Sequence, residues 1–291
     1  MTISTSPKTI ADWQPRTDQL PQTSVFSDFV QETLGLTTRL FIQLKRRPST
    51  LVAGIVQPLM WLLLFGALFQ NIPKDLFGTD YGHFLGAGVI VFTAFVGALN
   101  AGLPVMFDRE FGFLNRLLVA PLASRYSIVA ASAIYIIALT LLQVVAIVGL
   151  SALLGAGLPG FGGAAIILLV VLLLVVGVTA LSLGLTFALP GHIELIAVIF
   201  VANLPLLFAS TALAPLSFMP TWLQTIACLN PLSYAIEPIR YLYTNPQWQW
   251  SSIILHAPWA DVSFGTALLV LTGFAVVSLV IIQPLLRRRL A

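Results

Sequence analysis

The amino-acid sequence predicts an all-α integral membrane protein with six transmembrane helices. Of its 291 residues, 58% are hydrophobic and only 9% are charged, and the mean hydropathy is +0.96. Soluble globular proteins do not approach this combination. Because charged side chains are expensive in hydrocarbon, the long stretches that lack them mark where the spans can lie.

The first 47 residues divide into two parts. Residues 1–23 are polar and contain three prolines, so we expect a mobile cytoplasmic N-terminus there, with no cleaved leader. Residues 24–47 place apolar side chains at helical spacing and end in Lys45, Arg46 and Arg47, which predicts an amphipathic interfacial helix. This helix is either a plain membrane anchor or one that also touches a cytoplasmic partner.

Residues 48–291 form the predicted six-span transmembrane domain. Turn signals lie at 155–163 (GAGLPGFGG) and at 189–192 (LPGH), and they divide the long uncharged stretch after residue 126. The predicted spans lie at about 49–70, 83–107, 127–154, 164–189, 195–213 and 262–284.

The segment 215–260 is apolar but holds six prolines and four of the six tryptophans. None of its pieces is long enough to cross a bilayer. We therefore expect short re-entrant helices that dip into the outer side of the membrane between spans five and six.

The distribution of Lys and Arg predicts the orientation. We expect a multi-pass protein of the cell (inner or plasma) membrane with both termini in the cytoplasm. In that orientation, the cytoplasmic flanks of the spans hold ten Lys and Arg residues. The outer loops hold only Lys74 and Arg240. Positive residues favour the cytoplasmic side, so this asymmetry supports six spans with both ends inside.

The sequence offers no catalytic or cofactor motif. It has no phosphate-binding loop, no paired metal ligands and no ionisable group in the interior of a predicted span. We therefore expect no enzyme activity, no cofactor in this chain and no nucleic-acid partner, and energy for transport would come from outside the spans.

Asn203 and Pro205 interrupt the fifth span, so we expect that helix, with span two, to face a pathway rather than lipid.

The charged segment 108–125 lies between spans two and three and carries five of the 25 charged side chains. Taken as one helix, its polar arc and its apolar arc are opposite, with Glu110 alone on the apolar side. Such a helix is expected to lie flat on the membrane and show its polar face to a partner, unless it is an ordinary solvated connector. The polar arc consists of Asp108, Arg109, Gly112, Asn115 and Arg116.

From about residue 24 to the end, the chain resembles the membrane subunits of type-2 ABC exporters, the ABC-2 permeases. Two motifs carry the resemblance together with the amphipathic first helix. The segment 230–241 (NPLSYAIEPIRY) is similar to the family's NPL-x-Y with a nearby arginine. The family pattern E-x-G-x-L-x-x-L-L-x-x-P-L is matched by Glu110, Gly112, Leu114, Leu117, Leu118, Pro121 and Leu122.

The resemblance implies that segment 108–125 is a cytoplasmic coupling helix beneath which an ATP-binding subunit sits. Two such subunits would bind ATP and Mg²⁺, and a second copy of this chain, or a related permease, would complete the complex. Arg109 and Arg116 would contact acidic groups of the partner, and Glu110 would pair with a cation of its own chain on the first helix. The implied coupling residues are Arg109, Glu110, Gly112, Leu114, Asn115 and Arg116.

For the outer segment, the resemblance implies helices that close the exit of the pathway, with a gate at Asn230, Pro231, Tyr234, Glu237 and Arg240. Glu237 and Arg240 lie three residues apart on a helix. An exposed pair of this kind contributes only about 0.3 to 0.5 kcal/mol, so it is either a surface pair or a gate latch. Asn230, Pro231 and Tyr234 are expected to shape the turn rather than touch a substrate.

The cargo can be stated only as a class. Uncharged walls suit an amphipathic or hydrophobic molecule such as a lipid, glycolipid or drug. A polysaccharide exporter of the same family stays open. Of the rivals, an ion-coupled secondary transporter would need an intramembrane carboxylate, and an enzyme acting on lipid would need a cluster of His, Asp or Glu at one depth.

Overall fold

The computed structural model describes residues 25–69, 71, 81–114, 116, 124, 126–153, 160–245 and 247–290. Predictions that concern the N-terminal 1–23, the loop with Lys74, the turn at 155–159 and Asn115 lie outside the described residues. So do those for Leu117, Leu118, Pro121 and Leu122.

The described chain is a bundle of α-helices with one small β-hairpin. Pro48 begins the second helix, where its missing N–H costs no intrahelical bond. The helices are α1 (Val25–Arg46), α2 (Pro48–Leu68), α3 (Tyr81–Leu99), α4 (Gly102–Glu110), α5 (Tyr126–Ser151), α6 (Phe161–Ala188), α7 (His192–Phe208), α8 (Thr221–Leu229), α9 (Pro231–Thr244) and α10 (Phe264–Leu290).

Five described helical segments are long and apolar enough to cross a membrane. They match the first, second, third, fourth and sixth predicted spans, and α3 with α4 makes the second as one segment, Phe84–Glu110. The fifth predicted span, 195–213, corresponds to α7, which has 17 residues and is shorter than the others. The prediction of an all-α membrane fold is confirmed, with five segments of spanning length.

Helix α3 lies inside the protomer. It packs against α2, α5, α6 and α9, and glycine permits its close approach to a neighbour. At Gly88, a Cβ atom would lie 2.5 Å from the carbonyl oxygen of Ala212. Two thirds of the most apolar window of Phe84–Glu110 is buried within the protomer. That span two faces a pathway stays a prediction.

Helix α1 lies within the predicted range 24–47. Its buried face carries Thr33, Thr37 and Leu40, and Leu40 packs against Tyr135 and other residues of α5. Other apolar side chains of α1 point outward: Phe26 is 75% exposed and Leu34 is 58% exposed. A stripe that other helices leave uncovered is available to lipid.

The segment between α7 and α10 differs from its prediction in one part. A short 3₁₀ turn (Leu216–Phe218) and helices α8 and α9 are present, but residues 253–263 are not helical. Strands β1 (Ile253–Ala257) and β2 (Ala260–Ser263) pair antiparallel, with Leu255 opposite Val262. The prediction of helix alone was wrong here, because the turn between the strands allows the backbone to pair with itself. The last helix consequently begins at Phe264 rather than at residue 262.

Candidate functional site

At the end of α4, three charged side chains contact three other parts of the chain: α1, the end of α6 and the start of α7. Asp108, Arg109 and Glu110 are consecutive in the chain and occupy the last turn of α4. Side chains that follow one another in a helix point about 100° apart, so each meets a different neighbour. We call this end of the bundle the α1 end, and the opposite end, where β1 and β2 lie, the hairpin end.

Asp108 binds α1. Both terminal guanidinium nitrogens of Arg39 donate to the carboxylate of Asp108, each at 3.1 Å. The two side chains are about one quarter to one third exposed, at 26% and 31%. The Arg39 guanidinium also lies 3.8 Å from the ring centre of Phe113, so one arginine contacts both sides of the turn after α4.

Arg109 caps the end of α6. Its guanidinium donates to the carbonyl oxygens of Thr186, Leu189 and Pro190, with 2.7 Å between Nη2 and the Leu189 oxygen. The last carbonyls of a helix have no intrahelical partner and carry partial negative charge, so a cation here is favourable. Arg109 was predicted to contact a partner protein, but its guanidinium is committed to its own chain.

Glu110 caps the start of α7. The backbone N–H of His192 donates to Oε1 of Glu110 at 2.6 Å, and the ring Nδ1 of His192 contacts Oε2. A Cβ atom at Gly191 would lie 2.7 Å from Oε1, so glycine leaves the space for this carboxylate. Glu110 does pair within its own chain, but with His192; the expected partner on α1 is wrong, since Arg39 binds Asp108 instead.

The predicted single helix across 108–125 is wrong in its described part. Helix α4 ends at Glu110, and Gly112 has φ +75°, a left-handed conformation that glycine adopts without strain. Phe113, Leu114 and Arg116 are helical again beyond this break. Asp108 and Arg109 therefore do not share one helical face with Arg116.

The residues after the break differ in exposure. Leu114 is buried among side chains of α5, α6 and α10, where it packs near Ile128 and Phe187. Phe111 is 79% exposed, and Arg116 is exposed as well. The structure thus joins Arg109, Glu110 and Leu114 to the bundle and leaves Phe111 and Arg116 at the surface.

At the hairpin end, Asn230 and Pro231 begin α9. The Asn230 side chain accepts from the N–H of Leu232 at 3.0 Å and donates to the carbonyls of Leu206 and Ala209 at 2.7 and 2.6 Å. Asn230 is thus a helix cap that also binds the end of α7. Tyr234, one turn later, is buried.

Glu237 and Arg240 form a buried pair, which corrects the expectation of an exposed one. Their side chains are 13% and 11% exposed, and the Arg240 guanidinium contacts the Glu237 carboxylate directly. Arg240 also donates to the carbonyl of Thr211 at 2.7 Å and lies 3.6 Å from the ring centre of Phe84. The pair is buried because α9 packs against α3 and α6 and is not a surface helix.

Asn203 and Pro205 lie within α7. Pro205 sits inside the helix, and the Oδ1 atom of Asn203 is buried without a hydrogen-bond partner among the described residues. Much of the rest of α7 is exposed, including Phe200 at 71% and Val201 at 69%. A role for Asn203 and Pro205 in a pathway stays a prediction.

Within the described ranges, no group of three or more His, Cys, Asp or Glu side chains could hold a metal ion. The helices of spanning length define a multi-pass membrane protein. At its α1 end, the charged residues Asp108, Arg109 and Glu110 attach the segment after α4 to the rest of the bundle. Sequence comparison gives the particular class. The ABC-2 type transporter family matches residues 31–244, and the chain belongs to this family.

Several relatives resemble the chain over most of its length. It is 55% identical to transport permease ycf38 of Porphyra purpurea over 265 residues. This match covers 90% of this chain and 91% of the relative. The corresponding protein of Cyanophora paradoxa is 51% identical over 275 residues, or 94% and 95% of the two chains. The doxorubicin resistance ABC transporter permease protein DrrC of Mycobacterium tuberculosis is 28% identical over 218 residues, or 73% and 76%.

Proposed function

We propose that this ABC-2 permease is the membrane subunit of an ATP-driven exporter and works in pairs above two ATP-binding subunits. Those subunits would hold ATP and Mg²⁺, and the second permease would be another copy of this chain or a related one. The cargo is an amphipathic or hydrophobic molecule. The chain itself performs no chemistry.

One observation carries the proposal: the end of α4 contacts α1, the end of α6 and the start of α7 through three consecutive charged residues. A displacement of the segment after Gly112 would pass through these contacts to three elements at once. By family resemblance, an ATP-binding subunit would lie under this segment. The contacts therefore supply a physical route from a soluble partner into the spans.

The surface for that partner is formed by Phe111 and Arg116. Phe111 offers an exposed ring, and Arg116 offers a charge that suits acidic groups. Exposed aromatic and arginine side chains are typical anchors of protein interfaces. Arg109 takes the complementary role, because its guanidinium holds the segment to the permease.

The cargo class is supported by the exposed face of α7, which is apolar. Phe200, Val201 and Phe208 are more than half exposed and would form part of an uncharged wall in a pair of permeases. DrrC is named for doxorubicin resistance, and DrrB1 of Streptomyces coeruleorubidus, 27% identical over 250 residues (82% of this chain and 87% of that one), for daunorubicin resistance. A polysaccharide exporter of the same family stays the alternative, because exposed rings such as those of Phe200 and Phe208 also stack on sugars.

The experiment uses the chain purified from native membranes with any ATP-binding protein that copurifies, reconstituted in liposomes with doxorubicin as the probe. Arg116→Glu should lower ATP-driven movement of doxorubicin at least about fivefold while ATP hydrolysis continues, since the partner's push no longer reaches the spans. Arg46→Glu, at the end of α1, is the matched control and should leave transport unchanged. Movement of the probe against its gradient without any ATP-binding protein would contradict the proposal.

Orientation is tested separately by cysteine labelling. Trp259→Cys in the β-hairpin should react with an impermeant maleimide added outside the cell, and Phe111→Cys should react only after the membrane is opened. Both side chains are exposed, at 53% and 79%, so access is limited by the membrane alone. Reversed labelling would place the α1 end outside.

A further inference from the structure

A cavity with amide groups in its wall lies between α2, α3, α4 and α5. Its volume is about 390 Å³, which is in the range of pockets for small ligands. It is not part of the α4 contacts or of the pair of Glu237 and Arg240. Its polar lining includes Gln57, Asn100 and Gln143, and the rest is largely apolar.

Gln143 of α5 is the central group of this cavity. The residue is only 6% exposed, and its side chain lines the cavity. A buried amide is costly unless it is hydrogen-bonded, and most buried polar groups are paired. A polar group of a molecule inside the cavity could supply such a bond to the amide.

Two glycines make the space for this amide. A Cβ atom on Gly54 of α2 would lie 2.0 Å from Nε2 of Gln143, and one on Gly97 of α3 would lie 3.4 Å from Oε1. The hydroxyl of Thr140, one turn earlier on α5, is buried without a hydrogen-bond partner among the described residues. The amide is therefore held between two backbones at a fixed place.

Asn100, in the turn between α3 and α4, adds an acceptor on the opposite wall. Its Nδ2 donates to the carbonyl oxygen of Val96 at 2.7 Å, which leaves Oδ1 to accept a bond from the cavity. Gln57 contributes a third amide. The wall thus offers donors and acceptors but no Asp, Glu, Lys, Arg or His, so a charged group would lose its hydration without a counter-ion.

The cavity continues into an apolar groove on the exposed face of α2. Ala53 and Gln57 line both, and the groove has a volume of about 540 Å³. From Ala53 to Phe65 it runs about 18 Å along the helix, which is long enough to hold a fatty chain. A polar chamber joined to an apolar groove has the shape of an amphiphile's head and tail. The groove is lined by Ala53, Val56, Gln57, Met60, Trp61, Leu64 and Phe65.

We infer that this cavity binds the uncharged, hydroxyl- or amide-bearing head group of an amphiphile whose chain lies along α2. The head bonds to Gln143, Asn100 and Gln57, and the chain contacts Met60, Trp61 and Leu64. Binding is a property of the permease alone. Only a role for the bound molecule as cargo rests on the proposed function.

The test uses the full chain in phosphatidylcholine nanodiscs and three photoreactive dodecyl probes with glucoside, sulfate or trimethylammonium heads. The glucoside probe should label α2 between residues 53 and 65, and the two charged probes should label it at least about tenfold less. Gln143→Leu should lower glucoside labelling about tenfold, because the head loses a hydrogen-bond partner without a change in wall size.

Gly54→Ala should act like Gln143→Leu, since its methyl group displaces the amide. Gly66→Ala is the matched control on the same helix, because a Cβ atom there meets nothing within 4 Å, and it should label as the unchanged protein does. Thermal unfolding of each variant shows whether the protein is folded. If Gly54→Ala does not fold, Gln143→Leu alone decides.

Two further measurements show whether the ligand is a membrane lipid or a transported cargo, and a positive result in either one supports the site. An uncharged lipid that copurifies with the chain and is lost in Gln143→Leu identifies a membrane lipid. Release of the glucoside probe during ATP hydrolysis by the full complex identifies a cargo. The inference is overturned if the glucoside probe labels Gln143→Leu as it labels the unchanged protein, or if the charged probes label α2 equally. It is also overturned if no probe labels α2, which would mean that only water occupies the cavity. A cross-link between Met60→Cys in two copies of the chain would overturn it as well, because the groove would then be a contact between copies.

Because these binding measurements need no ATP-binding subunit, their failure would leave the proposed coupling untouched. Failure of the coupling experiment would likewise leave binding to the cavity intact.

Discussion

Arg39 and Asp108 join two helices through a two-pronged ion pair across 69 positions of the chain, with both nitrogen–oxygen distances at 3.1 Å. Asp108→Asn keeps the shape of the side chain but removes its charge. We expect a loss of about 1 kcal/mol, because the pair is partly exposed and its geometry is good. Thermal unfolding in detergent measures it. The exchange of the two residues, Arg39→Asp with Asp108→Arg, should restore most of the loss, and no restoration would show that the pair is not the cause.

Arg109 should not be replaceable by lysine. A single ammonium cannot reach the carbonyls of Thr186, Leu189 and Pro190 together, so Arg109→Lys should destabilise the protein by about 2 kcal/mol. It should also weaken the coupling of ATP hydrolysis to transport. Arg46→Lys is the control, and equal unfolding temperatures for the two variants would contradict the capping role.

Gly112 needs its left-handed conformation. Gly112→Ala should cost about 1 kcal/mol, although no neighbouring atom lies within 4 Å of the added methyl group. Gly35→Ala, in the exposed face of α1 and equally without a neighbour, should instead stabilise the protein by about 0.5 to 1 kcal/mol. Opposite shifts in unfolding temperature would separate backbone conformation from packing. Shifts of the same sign would refute this account of the break.

The pair of Glu237 and Arg240 should be sensitive to the loss of one partner. Glu237→Ala leaves a buried cation without its carboxylate and should cost about 3 kcal/mol. The double change Glu237→Leu with Arg240→Met removes both charges and should be much less harmful. Unfolding of the purified protein compares them, and a double variant as unstable as the single one would mean that packing rather than charge is responsible.

Cys228 should react slowly with maleimides in the folded protein. The thiol is 1% exposed, and burial, with the charge of Glu237, raises its pKa above the ordinary value. The thiolate is the reactive form, so a raised pKa means less of it at pH 7 and a rate that keeps rising at more alkaline pH. An exposed cysteine at position 259 should react much faster at pH 7. Equal rates in native protein would show that the thiol is accessible.

The helices could be predicted because their signal is local. The run from Phe161 to Ala188 contains no charged residue, and its length alone indicates a span, which the structure reproduces as α6. The family pattern around Glu110 and Gly112 is also local, and the family that it predicted is confirmed.

The contacts of the site could not be predicted because their partners are distant in sequence. Periodicity shows which way Arg109 points on a helix, but not that the last carbonyls of α6 lie there, 77 to 81 positions later. Arg39 and His192 were therefore missed as partners. Arg39 lies within the amphipathic helix α1 and His192 in the turn between two apolar spans, and neither position indicates a particular partner.

Gly112 and the β-hairpin were missed for a different reason. A glycine within a helical pattern can be a helix end, but the polar arc that continues to Arg116 suggested one helix. The strands are four and five residues long, and the Pro258 and Trp259 between them were the available turn signal. Such short signals compete poorly with the strong apolar pattern around them.

The three contacts of α4 also limit how the protein can change shape. A helix tied on three sides cannot slide along its axis or turn about it unless at least one tie is stretched or released. The surface helix α1 and the turn between α6 and α7 must then shift together with α4 or let go of it. Movement of α4 at this end of the protein is therefore coupled to movement of its neighbours for as long as these contacts are intact.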